Sequence, residues 1–428
     1  MPETIRKTRS VCPVCLKNLS ASLVRGDDGC IFLEKRCEEH GFFRVPVWRG
    51  KMDFEQWLLG TEPLPKGQGL CCPTGCGLCA EHEIGSCCVL LEVTPRCDLR
   101  CRFCFARGGE AQDEPPLDEL KRAVEDIVRR SGAVLLQLSG GEPTQRDDLC
   151  ELVRFAKEAG CGYVQLNTNG LRLAREADYA ARLAEAGLDI VFLQFDGTRN
   201  DIFETLRGAP LLEEKLLAIE RCSAQKLGVT LVPTVVRGVN DGELGAIVAL
   251  AKELVPAVRG VHFQPVSYFG RFPGVPGEEE RYTLDELMSD LSGQTGIPLT
   301  SFMPSRCDHP LCGFHASFLV EPDGALRPLS SIAHSSRSRG CEADNRAYVA
   351  RHWRRAPDEE PPPGAFSGET DFDVFLYRLR HESLTISAMA FQDAMNLNVE
   401  RLHRCSLHVY DAGRIIPFCA KYLSALPD

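Results

Sequence analysis

The sequence predicts an α/β protein built on a partial (β/α)6 barrel, with a small metal-binding ribbon before it and a cysteine-bearing C-terminal unit after it. Three observations predict this fold: short apolar runs alternating with amphipathic stretches, helical stretches that end on glycine, and cysteines spaced as metal ligands. We expect the ribbon at 1–60, a cysteine-rich segment at 61–88, the barrel at 89–300 and the C-terminal unit at 301–428.

Composition narrows the functional classes. The 428 residues are 44% hydrophobic and 25% charged, as in ordinary globular proteins. A formal net charge of -11 without a long basic run argues against non-specific nucleic-acid binding. The N-terminus lacks a secretory signal and no apolar run reaches membrane-span length, so we expect a cytoplasmic protein. In that reducing compartment, 21 cysteines point to metal ligation rather than disulfides.

Residues 12 to 48 have the spacing of a metal ribbon. Cys12 and Cys15 form a Cys-x2-Cys pair, and Cys37 with His40 forms a Cys-x2-His pair after a hairpin-length segment. Four such ligands suit one tetrahedral ion, either zinc or a rubredoxin-like iron. Cys30 is a rival fourth ligand, and the alternative is a ribbon that has lost its metal and keeps buried thiols.

The barrel prediction comes from near-continuous apolar runs, which are typical of parallel strands buried on both faces. Such runs lie at 89–94, 134–143, 163–170, 190–198, 229–236 and 258–270. Amphipathic stretches ending on glycine separate several of them, at 117–132, 147–160 and 177–187. We therefore expect the chemistry at the carboxyl ends of the strands.

Two segments share the spacing Cys-x3-Cys-x2-Cys, which can hold three irons of a cubane and leave the fourth iron open. The first segment has Cys72, Cys76 and Cys79, and precedes the barrel. The second has Cys97, Cys101 and Cys104, and directly follows the first predicted strand. That position predicts that the second triad is the reactive one. Phe103, just before its last cysteine, can lie beside a planar ligand.

The tetrapeptide "GGEP" follows the second predicted strand. Gly140 and Gly141 would let the backbone approach a ligand closely, and Glu142 before Pro143 can accept hydrogen bonds from an ammonium group. The alternative is a simple turn after a strand. Together with the triad one strand earlier, it indicates a cofactor site.

At these residues the chain resembles the radical S-adenosylmethionine (SAM) superfamily. The resemblance implies that Cys97, Cys101 and Cys104 hold a [4Fe–4S] cluster bound to SAM, whose amino group Glu142 holds. It implies reductive cleavage of SAM to a 5'-deoxyadenosyl radical. It also places ribose, carboxylate or substrate contacts at two strand ends, where a capped strand end is the alternative: Asn167, Asn169, Gln194 and Asp196.

The remaining cysteines suggest further centres. Cys87 is the candidate fourth ligand that would close the first triad as an auxiliary [4Fe–4S] cluster, with Cys71 and Cys88 as adjacent alternatives and a second zinc site as the rival. Two predicted hairpins, 312–330 and 405–419, could pair to carry a third set of four: Cys307, Cys312, Cys405 and Cys419. We expect Cys150, Cys161 and Cys222 to be small buried hydrophobes, and Cys341 is unassigned.

Nearly the full chain is similar to the group containing archaeal tetraether lipid synthase and 7,8-dihydro-6-hydroxymethylpterin dimethyltransferase. The matching stretches include "CPVC…CEEHG", "CPTGCGLC", "CDHPLC" and "LTISAMAFQDAMNLNVERLHRCSLHV". The resemblance implies three [4Fe–4S] clusters, one rubredoxin-like mononuclear site and carbon–carbon bond formation. The departures are Cys30, Cys71, Cys88 and a Pro-rich linker, "DEEPPPGAFSGETD".

The leading hypothesis is therefore alkyl coupling of lipid chains or methylation of an unactivated carbon. The expected partners are a small-molecule, lipid or pterin substrate and an electron donor such as ferredoxin or flavodoxin. A maturase that modifies a peptide is the second hypothesis, and a pure electron-transfer protein is disfavoured because it would need neither "GGEP" nor a barrel. Residues 387–398 could line a substrate channel, with core packing as the alternative.

Overall fold

A computed structural model describes residues 3–63, 65, 68–110, 113–305, 307–329, 341–357, 359–362 and 372–426. Within those ranges the strands, β1 to β17 in chain order, are Glu3–Val11, Asn18–Arg25, Ile31–Cys37, Gly41–Trp48, Cys88–Thr94, Leu135–Gly140, Tyr163–Thr168, Ile190–Gln194, Gly228–Val232, Thr234–Val235, Val258–Pro265, Met303–Pro304, Gly313–Val320, Leu326–Pro328, Ser383–Met389, Leu407–Asp411 and Arg414–Pro417. The α-helices, α1 to α13, are Phe54–Trp57, Leu117–Ser131, Leu149–Glu158, Leu171–Arg175, Tyr179–Glu185, Asn200–Arg207, Leu212–Ala224, Leu244–Glu253, Leu284–Thr295, Glu342–Trp353, Phe372–His381, Val399–His403 and Phe418–Lys421.

The N-terminal ribbon is an antiparallel sheet of β1 to β4 in chain order. Cys12 and Cys15 lie between β1 and β2, and His40 lies in the turn between β3 and β4. Alternate turns of such a meander lie at the same end of the sheet, so these two turns meet. The predicted ribbon is confirmed, and Cys30 lies at the opposite end, between β2 and β3.

The barrel consists of parallel strands in chain order, β5, β6, β7, β8, β9 and β11. These are the six predicted strands, so the α/β fold class is confirmed. Every residue of β6 and of β9 is buried, as expected for strands covered on both faces. The predicted helices correspond to α2, α3 and α5, and α2 is capped at its C-terminus by Gly132, whose φ is 70°.

The C-terminal residues extend this sheet at both ends. β15 pairs in parallel with β11, and β16 pairs in parallel with β5. The predicted hairpins exist as β13–β14 and β16–β17. The suggestion that they pair with each other is wrong, because β13 joins β15 while β16 joins β5 at the opposite end of the strand order.

Residues 340–372, where the sequence shows no regular pattern, contain α10. Its Val349 and Trp353 are buried against β5, β6, β8 and β9 residues at one end of the barrel. Of the predicted Pro-rich linker, residues 358 and 363–371 lie outside the described residues. The longest described helix has 15 residues, and none of the described helices is long and apolar enough to cross a membrane.

Candidate active site

The loop after β5 brings three cysteines to a cavity inside the barrel. Cys97, Cys101 and Cys104 are partly exposed and line this cavity, which measures about 300 Å³. Other predicted residues join them from the loops and ends of β5 to β8: Phe103, Gly140, Gly141, Glu142, Asn167, Asn169 and Gln194. Within the described part of the chain, Pro143 and Asp196 do not line it.

The chemistry of these thiols fits a metal cluster. Burial raises the pKa of Cys97 to about 12 and also raises the pKa of Cys104. Such thiols stay protonated at neutral pH unless a metal cation stabilises the thiolate. Arg271 fixes the loop, since its Nε donates to the Cys101 carbonyl at 3.1 Å and its carbonyl accepts from the Cys104 N–H at 2.9 Å.

The two glycines of "GGEP" are required by the cysteine loop itself. The Gly141 N–H donates to the Thr94 carbonyl at 2.7 Å, and the Glu142 N–H donates to the Arg96 carbonyl at 2.7 Å. A Cβ at Gly141 would overlap that Arg96 carbonyl oxygen. Gly140 has a φ of 128°, which favours glycine. The sequence predicted close approach to a ligand; the structure shows close approach to the backbone that carries the triad.

We predict that Gly141→Ala displaces the cysteine loop. The added Cβ meets backbone atoms, which cannot move aside as a side chain can. The expected result is loss of most of the cluster at this loop, measured as iron and sulfide per chain after anaerobic reconstitution. Gly293→Ala is the matched control, because a Cβ at Gly293 meets nothing within 4 Å. Equal iron content in the two variants would contradict the prediction.

Glu142 joins the ends of β6 and β7. Its Oε1 accepts hydrogen bonds from Thr144 N at 3.1 Å, Thr144 Oγ1 at 2.6 Å and Thr168 Oγ1 at 2.7 Å. Its Oε2 accepts from Asn169 N at 2.7 Å. Burial raises the pKa of Glu142, and these donors oppose that shift. The carboxylate is therefore held firmly, with its less occupied oxygen toward the β7 end.

The amide side chains of Asn169 and Gln194, at the ends of β7 and β8, bind different kinds of partner. Asn169 Nδ2 donates to Asp98 Oδ1 at 2.7 Å and its Oδ1 accepts from Leu171 N at 2.9 Å, which matches the alternative of a capped strand end. Gln194 Oε1 accepts from Lys215 Nζ at 2.9 Å. Lys215 is fully buried, and burial lowers its pKa to about 8. Sequence reasoning did not anticipate this lysine.

Asp196 forms a buried ion pair with Arg207, which sequence reasoning also missed. Arg207 Nε donates to Asp196 Oδ2 at 2.7 Å, and Nη2 donates to Oδ1 at 2.6 Å. Their side chains are 6% and 0% exposed. Burial lowers the pKa of Arg207, but Asp196 and the neighbouring Cys101 raise it more, so the guanidinium stays charged. Arg207 lines the cavity. The one sequence feature that could have pointed to it is its position in the last turn of the helix after β8.

The far end of the cavity is an aromatic box, which we define as Phe192, His262 and Trp353. The three ring centroids lie 5.0 to 5.6 Å apart. Burial lowers the pKa of His262 to about 4, so its imidazole is neutral, and Nδ1 lies 2.9 Å from Ser387 Oγ. Trp353 Nε1 is buried and has no hydrogen-bond acceptor among the described residues. A second cavity of about 210 Å³ shares His262 and Trp353.

In the ribbon, the ligand atoms of Cys12, Cys15, Cys37 and His40 all lie within 4.8 Å of one another. His40 Nδ1 is 3.5 Å from Cys37 Sγ and 3.6 Å from Cys12 Sγ. The contact with His40 lowers the pKa of Cys37 to about 6, whereas burial raises that of Cys30 to about 11. This cluster of N and S ligands fits one tetrahedral ion.

We predict that His40→Ala weakens the ribbon metal, because it removes a ligand, and that Cys30→Ala leaves it in place. Metal content of the purified chain, measured by mass spectrometry after dialysis against a chelator, checks both variants. Cys30 lies beside Asp28 rather than near the four ligands. Retention of the ion by His40→Ala together with its loss from Cys30→Ala would reverse the assignment.

The other cysteines separate into two neighbourhoods. Cys72 and Cys76 pack in one apolar cluster with Cys419, and Cys72 Sγ lies 3.6 Å from His403 Nε2. Cys87 instead packs with Cys88 at the aromatic end of the barrel, where both line the cavity.

In the C-terminal set, burial raises the pKa of Cys405 well above its usual value, with Asp308, Cys419 and Cys312 adding to the shift. Cys312 Sγ accepts from Arg401 Nε at 3.4 Å, and Cys307 Sγ donates to the Cys341 carbonyl at 2.7 Å. Cys79 is partly exposed, Cys71 is exposed, and Cys150, Cys161 and Cys222 belong to or contact the main core.

Comparison with known proteins gives matches along nearly all of the chain. The model of the "Radical SAM superfamily" matches residues 91–251, and that of the "HMPTM N-terminal zinc ribbon domain" matches residues 4–49. The chain is 32% identical to 7,8-dihydro-6-hydroxymethylpterin dimethyltransferase of Methanocaldococcus jannaschii, over 97% of this chain and 92% of the relative.

Two further relatives match less of the chain. Identity is 35% to a probable GTP 3',8-cyclase of Thermococcus kodakarensis, over 38% of this chain and 52% of the relative. It is 31% to PqqA peptide cyclase of Rhodopseudomonas palustris, over 63% of this chain and 73% of the relative. Only part of each of these two relatives is shared, whereas the match to the pterin enzyme includes ribbon, barrel and C-terminal unit together.

Proposed function

Since this chain belongs to the radical SAM superfamily, in the group of the pterin dimethyltransferase, we propose that it methylates an unactivated carbon of a compact heterocyclic substrate. The cavity that links the cysteine triad to the aromatic box carries the proposal, because a substrate inside it would lie between the three thiols and the polar groups of His262 and Trp353. This cavity of about 300 Å³ would hold SAM as well as the substrate, which favours a compact substrate.

We infer that Cys97, Cys101 and Cys104 hold a [4Fe–4S] cluster. When bound, this cluster and SAM supply an organic radical that removes a hydrogen atom from carbon. Glu142 Oε2 would accept a hydrogen bond from the SAM amino group. Arg207 lines the cavity and also contacts the Cys101 side chain, so its guanidinium would lie near the carboxylate of a SAM bound to the cluster. The largely apolar wall would keep water from the radical.

The aromatic box supports a heterocyclic substrate. A planar ring in the cavity can pack against the aromatic box, while Trp353 Nε1 donates to a ring oxygen or nitrogen. Neutral His262 adds a second polar contact. A pterin, the substrate class in the name of the pterin relative, has this combination of plane and acceptors.

The direct test is an anaerobic assay with excess SAM, a low-potential reductant and 7,8-dihydro-6-hydroxymethylpterin, with products identified by mass spectrometry. For each methyl group added, one SAM would be cleaved to methionine and 5'-deoxyadenosine, and a second SAM would donate its methyl group and leave as S-adenosylhomocysteine. The reductant would supply two electrons. We expect a pterin heavier by one or two methyl groups. Trp353→Phe keeps a ring and removes the donor, so KM for the pterin should rise about tenfold while SAM cleavage without substrate is unchanged. Cleavage of SAM with no change in any pterin would refute the substrate and leave the radical chemistry standing.

The apolar middle of the cavity favours a second candidate, the joining of alkyl chains. Much of its wall consists of hydrocarbon side chains, including Leu90, Leu99, Leu135 and Phe391. Isoprenoid lipid included as a competing substrate in the same assay would reveal this activity as a cross-linked product. A modified peptide would instead favour the maturase hypothesis.

We also propose two auxiliary [4Fe–4S] centres and one ion in the ribbon. The proposed ligands are Cys72, Cys76, Cys79 and Cys87 for one centre and Cys307, Cys312, Cys405 and Cys419 for the other, although Cys87 packs apart from Cys72 and Cys76. Anaerobic reconstitution should reach about twelve cubane irons and one further metal per chain. A plateau near four irons would refute both auxiliary centres.

A further inference from the structure

The proposed chemistry needs one electron from outside the chain for each SAM cleavage. The loop that carries Cys97, Cys101 and Cys104 forms the outer wall of the site. Its three cysteines are partly exposed, and three of the five residues between them are exposed: Asp98, Arg100 and Arg102. Any electron carrier that is to reach this cluster by the shortest route must contact this loop.

The loop is locally basic on an acidic protein. Residues 96–107 contain four arginines and one aspartate, in a chain with a net charge of -11. Arg96 pairs with Glu114 at 2.9 Å. Arg100, Arg102 and Arg107, which we call the arginine collar, are exposed and form no ion pair with any carboxylate in the described ranges.

The arginine collar is not part of the cavity wall. The only arginine in the cavity wall, among the residues that the structure describes, is Arg207. Three arginines on one loop of an acidic chain do not form the extended basic surface that nucleic acid needs. A small acidic protein is the partner that this charge pattern complements, because opposite charges speed encounter and repel wrong orientations.

We propose that the arginine collar is the docking surface for an acidic one-electron carrier protein such as a flavodoxin or ferredoxin. The inference rests on the proposed radical function. One electron leaves the reduced carrier and enters the cluster at Cys97, Cys101 and Cys104, and no bond is formed or broken in that step. Arg271 keeps the loop rigid through its bonds to the Cys101 and Gly108 carbonyls, so the collar is presented in a fixed arrangement.

The test compares two reductants on the reconstituted full-length enzyme. In Arg100→Glu/Arg102→Glu/Arg107→Glu, the second-order rate of cluster reduction by reduced flavodoxin at low ionic strength should fall about tenfold or more. SAM cleavage with saturating dithionite should persist. The wild-type rate with flavodoxin should fall as salt is added, and the variant rate should depend on salt far less.

Two controls complete the design. Arg129→Glu/Arg130→Glu/Arg327→Glu makes the same charge change on α2 and β14 and should leave the flavodoxin rate within about twofold. Arg→Lys at the three collar positions keeps the charge and should keep the rate. An unchanged flavodoxin rate in the Glu variant, or equal loss with both reductants, would overturn the docking surface. Failure of the wild type to cleave SAM with dithionite would instead overturn the proposed function.

Discussion

Replacing Cys101 with alanine is expected to reduce SAM cleavage to background. Cys101 lines the cavity together with Cys97 and Cys104, and two thiols do not hold a cubane in place. We expect no 5'-deoxyadenosine above the no-enzyme level with excess dithionite, and about four fewer irons per reconstituted chain than in the wild type. Liquid chromatography of the nucleoside products and an iron assay on the same sample provide the two readouts.

Cys150→Ala is the matched control for the loss of one thiol. Cys150 lies in α3, packs against the main core and does not line the cavity. Its variant should retain both the iron content and the cleavage rate. SAM cleavage at the wild-type rate by Cys101→Ala would show that the reactive cluster is held elsewhere, and the triad Cys72, Cys76 and Cys79 would then be the first alternative.

The barrel could be predicted because its signal is local. A strand buried on both faces needs a continuous apolar run, and a crossover helix needs an amphipathic one, so each unit is visible within about 30 residues. The same logic located the triad and "GGEP", because a loop that follows a parallel strand lies at the carboxyl edge. Both groups do line one cavity.

What the sequence could not show depends on pairing over long separations. β15 contacts β11 across more than 100 residues, and β16 contacts β5 across more than 300, with no pattern that selects these partners over one another. Trp353 reaches the cavity only because α10 packs across the barrel end. The sequence contains all three residues of the aromatic box, but it does not show that they come together.

Asp196 shows why the contacts of a single site residue could not be predicted from the sequence. Its place at a strand end predicted a contact with cofactor or substrate, but the structure shows its carboxylate bound by Arg207 and by Thr234 N at 3.1 Å. The sequence separation from Arg207 is 11 residues, with the turn into α6 between them, and no periodicity links the two. The Asp196 carboxylate instead binds the guanidinium of Arg207, which lines the cavity.

We predict that Arg207→Met destabilises the fold by about 3–5 kcal/mol, since it leaves the Asp196 carboxylate buried without its counter-charge. Urea unfolding followed by circular dichroism under anaerobic conditions measures the change. SAM binding should also weaken, because the variant removes the one arginine of the described cavity wall. Arg199→Met is the control: Arg199 is 58% exposed, so its loss should cost less than about 1 kcal/mol.

A second substitution separates the two effects of Arg207→Met. Adding Asp196→Asn removes the uncompensated charge, so the double variant should regain at least about 2 kcal/mol of unfolding free energy. SAM affinity, measured by equilibrium dialysis, should stay weak, because asparagine does not restore a guanidinium in the cavity wall. Recovery of SAM affinity along with stability would show that Arg207 serves only to neutralise Asp196. If Arg207 faces the cavity and Asp196 holds it in place, the double variant should regain unfolding free energy but not SAM affinity.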